Sequence, residues 1–317
     1  MSARRGLLSM VTIGLAAAVA WTSLGTLDSA SGQEEPILID RAHAGARRPS
    51  FEDPIFLLVL GGDARAGNPE RVRMDSIHIV SMVPGRNRAS IVGIPRDSYV
   101  QSSQGFGRRK ITDLGFLEGV DGFIQTVEDL SGCTFDYYML TSFDGFRGPV
   151  REENGRRQKQ GPGLIDDLGG VTVTVPFALP DPAPVPLKAG TYRMNGNQAM
   201  SFARNRHDRP RGDFDRSLAQ GTFMKAVLTE MRGDFAEDPG TALRNLAAVR
   251  RHVQLNIPIG EAYRLGLMAL EIRPKRVKNI VLDGAIGSAG GASIVNITQR
   301  GRAQLVDVCT DGLLDSN

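Results

Sequence analysis

Four short clusters of charged residues stand at the ends of apolar segments, and their side chains suit an anionic ligand. They contain Asp63 and Arg65, then Arg73 and Asp75, then Arg96 and Asp97, and finally Arg204, Arg206, Arg216 and Gln220. Guanidinium groups bind phosphate oxygens through two parallel hydrogen bonds. Carboxylates such as those of Asp63 and Asp75 are hard oxygen ligands, which together with phosphate would hold Mg²⁺. The residue types therefore predict a site for a pyrophosphate or another polyanion.

The spacing within the clusters places their members on shared faces. Residues two apart on an extended chain face the same side, which applies to Arg73 and Asp75. Arg216 and Gln220 are four apart, and on a helix this puts both on one face. Five of the arginines directed into one cleft would repel one another, and they are tolerable if the cleft binds a polyanion; these are Arg73, Arg96, Arg204, Arg206 and Arg216.

A surface salt bridge is the simpler interpretation of any single Arg–Asp pair. Four clusters behind apolar segments favour a shared site instead, because ligands of open α/β sheets bind where strands end. His207 is interpreted as a structural hydrogen-bonding residue, and the four histidines are too scattered to predict a zinc site. The sequence also lacks a Gly-x-Ser-x-Gly elbow, a P-loop and a CxxC motif, so the chemistries that depend on them are not predicted.

The elements that must position these residues alternate between strands and helices. Strands are predicted at 54–62, 76–83, 89–94, 135–141, 169–176 and 279–282, and helices at 119–130, 197–203, 214–231, 241–252 and 261–270. The first strand is continuously apolar and ends in glycines, which is typical of a buried strand. Apolar residues recur at helical spacing in the first helix. The order of elements predicts an α/β fold whose sheet is covered by helices on both faces.

The composition is that of a globular protein with a weak positive charge. The chain has 317 residues, 41% of them hydrophobic, and its formal net charge of +3 is too small to indicate nucleic-acid binding. Only six of the 38 basic residues are lysines, which fits either genomic composition or a phosphate site. Cys133 and Cys309 fit either one disulfide in an oxidising compartment or two buried thiols.

Residues 1–27 are predicted to be a membrane anchor or a signal segment. Arg4 and Arg5 precede a run without charge from Gly6 to Leu27, about the length that a membrane helix needs. A cleaved signal peptide is the alternative, but the long apolar run favours a retained single-pass anchor. The two arginines then predict a cytoplasmic N-terminus and an extracytoplasmic domain in the cell membrane. Residues 28–53 are predicted to be a linker, and residues 54–317 the domain.

The chain resembles the LytR–CpsA–Psr (LCP) family of cell-wall glycopolymer ligases. The matching segments, in the family's order, are LLVLGGDAR, RMDSIHIVSMVP, ASIVGIPRDSYV, DYYMLTSFDGF, LGGVTVTVP, LKAGTYRMNGNQAMSFARNRHD and RGDFDRSLAQ. They cover about residues 55–231, the predicted core of the domain. The resemblance implies a mixed central β-sheet between α-helices, with an apolar tunnel for a polyprenyl chain. It also implies transfer of a glycopolymer from undecaprenyl pyrophosphate to peptidoglycan, which forms a phosphodiester link.

The resemblance also implies roles for the charged residues. Asp63 and Asp75 resemble aspartates that bind Mg²⁺, for which Mn²⁺ is a second candidate. The implied pyrophosphate-binding residues are Arg65, Arg73, Lys110, Arg204, Arg206, Arg216 and Gln220. The candidate catalytic residues are Arg96, which would neutralise phosphate charge, and Asp75 or Asp97, either of which would act as the base. The implied partners are the lipid-linked glycan (a teichoic acid, an arabinogalactan or a capsule), the peptidoglycan acceptor and the membrane, and not a nucleic acid.

Two other functions fit the same residues: a polyprenyl pyrophosphate phosphatase that transfers to water, and a non-catalytic lipid-binding regulator of the envelope. Two aspartates beside five arginines argue against the regulator, since holding a lipid tail does not require them.

Two segments depart from the family's pattern. Lys110-Ile111-Thr112 stands where the family usually has Lys-Ile-Asn, and residues 147–165 are inserted. We interpret the insertion as a solvated surface loop, and a basic arm that contacts an anionic glycan or the membrane is the alternative. The apolar residues of the 119–130 helix are candidates for the tunnel lining, and ordinary core residues are the alternative.

Overall fold

A six-stranded mixed β-sheet is the central layer of the computed structural model, which describes residues 53–63, 71–153, 156–182 and 184–314. Its strands are β1 (Ile55–Gly62), β2 (Met74–Val83), β3 (Arg88–Gly93), β6 (Tyr137–Ser142), β11 (Val253–Leu255) and β12 (Val277–Val281). Their order is β11-β6-β1-β2-β3-β12. The β1/β6 and β3/β12 pairs are parallel, and the other neighbours are antiparallel.

Helices cover both faces of this sheet, as the sequence predicts. One face carries α1 (Ile111–Ser131) and α8 (Gln299–Asp311), and the other carries α5 (Asp213–Glu237), α6 (Thr241–His252) and α7 (Ile259–Glu271). Successive side chains of a strand point to opposite faces. In β1, Leu58 and Leu60 therefore join the core under α1, while Leu57 and Val59 face α5, α6 and α7.

Smaller elements surround the two core layers. The further strands are β4 (Tyr99–Gln101), β5 (Arg108–Lys110), β7 (Val150–Glu153), β8 (Arg156–Lys159), β9 (Val171–Val175), β10 (Gly190–Met194), β13 (Gly284–Ala289) and β14 (Ala292–Ile297). The further helices are α2 (Phe143–Arg147), α3 (Leu164–Asp167) and α4 (Gly196–Arg204), with 3-10 turns at Pro84–Arg86 and Pro274–Arg276. The β9–β10 pair packs with α4 and α5 in a third apolar cluster.

The first long helix is longer than its apolar pattern predicts. It begins at Ile111, because Ile111 and Leu114 are already buried on the face that later carries Phe123 and Val127. Gly119 interrupts the helix with a φ of 73°, a value that glycine adopts without the strain of a side chain. The break in the middle hides the first half of the helix from a search for continuous helical spacing.

The inserted segment contains a β-hairpin, and its described side chains at 151–153 and 158–160 are exposed, in agreement with a solvated surface segment. Strands β7 and β8 pair from Val150 opposite Lys159 to Glu153 opposite Arg156. Because nearly every residue of the pair is charged or polar, no apolar alternation marks the strands in the sequence. The hairpin follows α2 and therefore stands at the end of the sheet where β6 ends.

The predicted anchor and nearly all of the predicted linker, residues 1–52, lie outside the described residues and stay predictions. Within the described ranges, no helix has both the length and the apolar character that crossing a membrane requires.

Cys133 and Cys309 form a disulfide, which decides between the two interpretations of the cysteines. The bond ties the loop after α1 to α8, and the two residues are 176 positions apart in the chain. A cross-link that closes so long a loop restricts the unfolded chain strongly. Disulfides of this kind persist in oxidising compartments, in agreement with the predicted extracytoplasmic domain.

Removing this disulfide should destabilise the domain. The double substitution Cys133→Ala and Cys309→Ala is expected to lower the free energy of unfolding by roughly 2–5 kcal/mol, because the unfolded chain regains the freedom that the bond removes. Urea denaturation of the oxidised protein, the reduced protein and the double variant measures the effect. The reduced protein should match the variant, and equal midpoints for all three would contradict the prediction.

Candidate active site

One long cavity of about 760 Å³ lies between the sheet and the helices α5, α6 and α7. Its middle is apolar and is lined by strand residues such as Val59, Val80 and Ile91, together with helix residues such as Phe223 and Leu246. The side chains of α1 are absent from the lining, because they pack on the opposite face of the sheet. The hypothesis that the 119–130 helix lines a tunnel is therefore wrong, and its apolar residues are core residues.

Charged and polar side chains gather at one end of this cavity, which we call the charged end. They are Asp63, Arg73, Asp75, Arg96, Arg204, Arg206, Arg216 and Gln220. Strands β1 and β3 finish at this end and β2 begins there, while α5 starts there. The topology thus brings together residues that are up to 157 positions apart in the chain. Of the predicted set, Arg65 lies outside the described residues, and Asp97 and Lys110 do not line the cavity.

Arg96 follows β3 and forms a partly buried ion pair with Asp75 of β2, in which Nη1 donates to Oδ1. Burial lowers the pKa of the Arg96 guanidinium, but the charge and hydrogen bond of Asp75, together with the charges of Asp213 and Asp97, outweigh it, so the pKa lies above its ordinary value. Arg96 is therefore firmly cationic. Its Nε is buried and has no hydrogen-bond acceptor among the described residues. A ligand oxygen would satisfy this donor.

Arg216 lies in the first turns of α5 with a side chain that is 6% exposed, and Asp213 pairs with it one turn earlier. The pKa of Arg216 is lowered, mainly by burial. The negative charge of Asp213 raises this pKa in part, and the nearby positive charge of Arg96 lowers it further. Within the described part of the chain, Nε of Arg216 and Oδ2 of Asp213 are buried without a hydrogen-bond partner, while Oδ1 of Asp213 contacts Nη2 of Arg216 in the ion pair. The buried guanidinium of Arg216 and the partly buried one of Arg96 are neighbours with unused Nε donors, which favours the binding of an anion between them.

Arg204 is held at the charged end by an aromatic ring and by the position of its helix. Its guanidinium lies over the Phe143 ring, 4.4 Å from the centroid. Gln220 donates from Nε2 to the carbonyl oxygen of Ala203 at 2.9 Å, which fastens the end of α4 to α5. The amide of Gln220 therefore positions the segment that carries Arg204, in addition to lining the cavity.

Two further cations of the predicted set, Arg73 and Lys110, are each held by an aspartate. Arg73 is 70% exposed and its Nε lies 3.2 Å from Oδ1 of Asp113. Lys110 donates from Nζ to Oδ1 of Asp97 at 2.9 Å. At the position where the family usually has asparagine, Thr112 donates its backbone N–H to the carbonyl oxygen of Arg96 at 3.1 Å. This bond fixes the Arg96 loop against the start of α1 without using the threonine hydroxyl.

The described residues contain no group of three or more His, Cys, Asp or Glu side chains that could hold a metal by themselves. Asp63 and Asp75 nevertheless line the same cavity on paired strands, and the N–H of Asp63 donates to the carbonyl oxygen of Arg73 at 3.0 Å. Mg²⁺ is usually bound through one or two carboxylates and completed by substrate phosphates and water. The donor set fits a magnesium ion that binds together with a phosphate ligand.

His78 is a fully buried residue behind the charged end, and it is a structural residue. Its Nε2 lies 3.0 Å from the carbonyl oxygen of Ser217, which only accepts, so Nε2 carries the hydrogen. Its Nδ1 then accepts from the Ser76 hydroxyl at 3.2 Å. Burial is the main cause that lowers the pKa of His78 to about 4. The neutral ring thereby joins β2 to the first turns of α5, where Arg216 lies.

This histidine should make the domain sensitive to acid. In the unfolded chain His78 has an ordinary pKa near 6.5. Between pH 6.5 and about 4 it is therefore protonated in the unfolded chain but neutral in the folded chain. The stabilisation is complete above pH 6.5 and is lost as the pH falls, by about 3 kcal/mol at pH 4. Urea denaturation across this range measures the slope. His78→Gln keeps an N–H donor without titrating, and an equally steep slope in that variant would contradict the assignment.

Two parts of this site have weak signals in the sequence. Asp213 stands in the first turn of α5, where an acidic residue is ordinarily explained by the helix dipole. Its spacing of three from Arg216 is the signal that could have found it. Phe143 lies between a predicted strand and a glycine, where nothing in the sequence indicates that a guanidinium will stack on it.

Comparison with known proteins finds a matching protein family and solved structures of the same fold. The model of the LytR_cpsA_psr family matches residues 26–308. A similar curated protein is polyisoprenyl-teichoic acid–peptidoglycan teichoic acid transferase TagU of Bacillus cereus (strain AH820), 28% identical over 224 residues, which cover 70% of this chain and 67% of TagU.

Solved structures of the same fold include Bacillus subtilis TagV. Its TM-score is 0.67 at 23% identity, and the match covers 80% of this chain and 94% of TagV. Another is the LytR-CPS2A-psr family protein YwtF (TagT) with bound octaprenyl pyrophosphate lipid. Its TM-score is 0.60 at 21% identity, and the match covers 82% of this chain and 90% of that one.

Proposed function

Because the chain belongs to the LytR–CpsA–Psr family, we propose that it transfers a glycopolymer from a polyprenyl pyrophosphate to peptidoglycan. The curated relatives are named as transferases of this class, and a protein of the same fold binds octaprenyl pyrophosphate. We further propose that the reaction takes place outside the cytoplasmic membrane, which the disulfide supports.

The observation that carries the proposal is one continuous cavity with two chemistries. The apolar middle suits a polyprenyl tail, and the charged end suits a pyrophosphate. Buried Nε donors of Arg96 and Arg216 have no acceptor among the described residues, so they are available to phosphate oxygens. A lipid pyrophosphate is the ligand class that fills both parts at once.

The transfer makes one P–O bond and breaks another. The hydroxyl oxygen of the acceptor sugar attacks the phosphorus that bears the glycan, and the bond from this phosphorus to the bridging oxygen breaks. Polyprenyl phosphate leaves with the bonding electrons, and the hydroxyl proton goes to a base. Arg96, Arg204 and Arg216 would hold the phosphate oxygens and neutralise their charge, which is the main protein contribution in phosphoryl transfer.

Of the two candidate bases, Asp75 is better placed. Both are ion-paired, Asp75 with Arg96 and Asp97 with Lys110, but only Asp75 lines the cavity. We assign Asp97 to holding Lys110 near the loop that carries Arg96. Its own backbone carbonyl accepts from Val295 at 2.8 Å, which fixes this loop to β14.

Asp63 and Asp75 would hold a divalent cation, Mg²⁺ or Mn²⁺, with oxygens of the bound pyrophosphate as the remaining ligands. When bound, such an ion withdraws charge from the phosphate oxygens. The residues of this chain supply the positioning, since Asp63, Asp75 and Arg96 lie at strand ends and Arg216 lies in the first turns of α5.

The test uses the purified full chain, a lipid-pyrophosphate-linked glycan and a peptidoglycan oligomer, with mass spectrometry of the products. A glycan–peptidoglycan conjugate linked by a phosphodiester is expected. If free glycan phosphate is the sole product while acceptor is present, the protein is a phosphatase. If lipid binds without any product, it is a lipid-binding protein and the proposal is wrong.

Transfer should depend on a divalent metal. Adding EDTA is expected to abolish conjugate formation, and Mg²⁺ or Mn²⁺ should restore it, because the phosphate charge is otherwise only partly neutralised. Asp63→Asn should raise the Mg²⁺ concentration needed for half-maximal transfer, since one of two carboxylate ligands is lost. Titration of product against Mg²⁺ measures this shift. Undiminished transfer in EDTA would contradict the metal assignment.

A further inference from the structure

A second, shallower cavity of about 520 Å³ lies away from the charged end and is strongly basic. Its lining is Arg88, Lys225, Lys275, Arg276, Val277, Lys278 and Asn279. Although arginine dominates the rest of the chain, three of the six lysines lie here. In the described part of the chain, no carboxylate pairs with Arg88, Lys225, Lys275 or Arg276. We call the five cations the basic patch.

The basic patch adjoins the end of the long cavity opposite the charged end, which we call the distal end. Lys225 and Val277 line both cavities. Along β2, Asp75 belongs to the charged end and Met82 to the distal end. At about 3.4 Å per residue these positions are roughly 24 Å apart.

The chain enters the domain at this same end. Ile55, the first residue of β1, pairs with Met82, which pairs with Ala89, which pairs with Val277. Neighbouring strands are about 4.8 Å apart, so Ile55 lies roughly 14 Å from Val277 beside the patch. The segment that precedes Ile55 contains the apolar run from Gly6 to Leu27 that the sequence predicts to be a membrane anchor.

We propose that the basic patch docks on anionic headgroups of the membrane, so that the distal end faces the lipid and the charged end faces away. Each lysine or arginine near an anionic leaflet is attracted to it, and the attraction fades within a Debye length. Lysine suits this role because its compact, strongly hydrated charge needs no fixed partner geometry. The proposal goes beyond the proposed transfer reaction, and only the choice of a membrane over an anionic glycan rests on that reaction.

The distribution of carboxylates at the distal end determines which side of that end faces the membrane. Asp53 and Asp136 lie on the β1–β6 side, whereas on the β3–β12 side the five cations of the patch outnumber the exposed carboxylate of Glu271. Arg86 is also at this end, but Asp311 pairs with it at 2.8 Å. The domain therefore tilts with β12 toward the membrane and with β6 away from it.

An anionic glycan is the other ligand class that such a patch attracts, and its position argues against it. The pyrophosphate that carries a glycan belongs at the charged end, roughly 24 Å away along β2. A polymer that starts there extends away from the domain, and the patch borders the far end of the apolar cavity.

The test measures energy transfer between one fluorophore on the full chain and an acceptor dye in the vesicle surface. The first label is placed at Gly85→Cys in the distal turn, and the second at Gly161→Cys near the hairpin. In both glycines a Cβ meets nothing within 4 Å, and the native cysteines are bonded to each other. Vesicles of phosphatidylcholine alone are compared with vesicles that also contain phosphatidylglycerol.

A charge-matched pair of variants isolates the patch. The patch variant is Arg88→Glu, Lys275→Glu and Arg276→Glu. The control variant carries the same change of net charge at the opposite end, as Arg109→Glu, Arg300→Glu and Arg302→Glu. All three control residues are exposed, and they lie in β5 and in the first turn of α8.

Phosphatidylglycerol in the vesicles is expected to raise the energy transfer from a fluorophore at position 85 and not from one at position 161. The patch variant should fall to the level seen with phosphatidylcholine alone, because the loss of three cations alone lowers the docking affinity by roughly 100-fold and the added carboxylates lower it further, while the control variant keeps the increase. High salt should remove the increase in the native chain, which tests the proposal even if the patch variant misfolds. Equal behaviour of the two variants, no effect of phosphatidylglycerol, or binding of soluble poly(glycerol phosphate) in place of vesicles would overturn it.

Discussion

Replacing Arg96 by alanine should reduce formation of the glycan–peptidoglycan conjugate by roughly a thousandfold or more. Arginines that stabilise transferred phosphoryl groups contribute on the order of 10³ to 10⁵ in rate. Arg96 combines a firmly cationic guanidinium, a buried Nε without an acceptor in the described chain, and a position on the cavity wall. Its removal takes away charge where the transition state concentrates it, and it also releases Asp75.

The measurement is the initial rate of conjugate formation at saturating lipid-linked substrate. Arg86→Ala is the matched control, because it removes an exposed arginine that also pairs with an aspartate, but at the distal end. Its rate should be that of the native chain. Arg96→Lys keeps the charge and loses the planar fork, so its rate should fall between those of the native chain and the alanine variant. Native activity in Arg96→Ala would show that the site has been misassigned.

The positions of Asp63, Asp75 and Arg96 were predictable from the sequence because these residues lie at strand ends, whereas Arg216 and Gln220 share a face through helical spacing. A buried strand must be apolar on both faces, so charges such as Asp63 after β1 and Arg96 after β3 mark where each strand leaves the core. Once the sheet is open and covered by helices, these ends meet at one edge. The pairing of strands, however, is long-range: neither the β1 segment nor the β6 segment indicates that the two strands are neighbours.

The side of the sheet on which the cavity lies could not be predicted. The apolar stripe of α1, with Phe123 and Val127, has the same period as that of α7, with Ala262 and Leu265. The stripe of α1 packs in a filled core, whereas the stripe of α7 borders a cavity. The difference depends on whether the side chains of distant elements fill the space between helix and sheet. The disulfide is hidden for a similar reason, since Cys133 and Cys309 meet only after α8 packs beside α1.

Polar elements also escaped prediction. Helix α8 buries only Gly301, Leu305 and Val308, so its apolar period is too short to stand out. In the β13–β14 hairpin only Ile294 and Val295 are buried, so little apolar alternation marks its strands, although the Gly290-Gly291 turn between them is a hairpin signal. These elements nevertheless support the site, because β14 holds the loop of Asp97 through Val295.

Filling the apolar part of the cavity should abolish transfer without unfolding the protein. Gly266 lies in α7 on the face that carries Ala262 and Ala269, and all three line the cavity. A Cβ added at Gly266 meets no atom within 4 Å, so a larger side chain has room to extend into the cavity. Gly266→Phe is expected to lower transfer by roughly 100-fold or more, because the ring occupies space that a polyprenyl tail needs and the lost contacts cost several kcal/mol.

The matched control lies in the same helix. Gly260 is exposed, also has no atom within 4 Å of an added Cβ, and does not line the cavity. Gly260→Phe should therefore transfer at the native rate. Both substitutions replace a helical glycine, which costs about 1 kcal/mol relative to alanine, so neither variant should be less stable than the native chain in urea. A short-chain lipid pyrophosphate separates the two parts of the cavity: if Gly266→Phe blocks the tail alone, the short substrate should react in both variants. Equal loss with short and long lipids would place the damage at the charged end and refute the assignment of the apolar cavity to the tail.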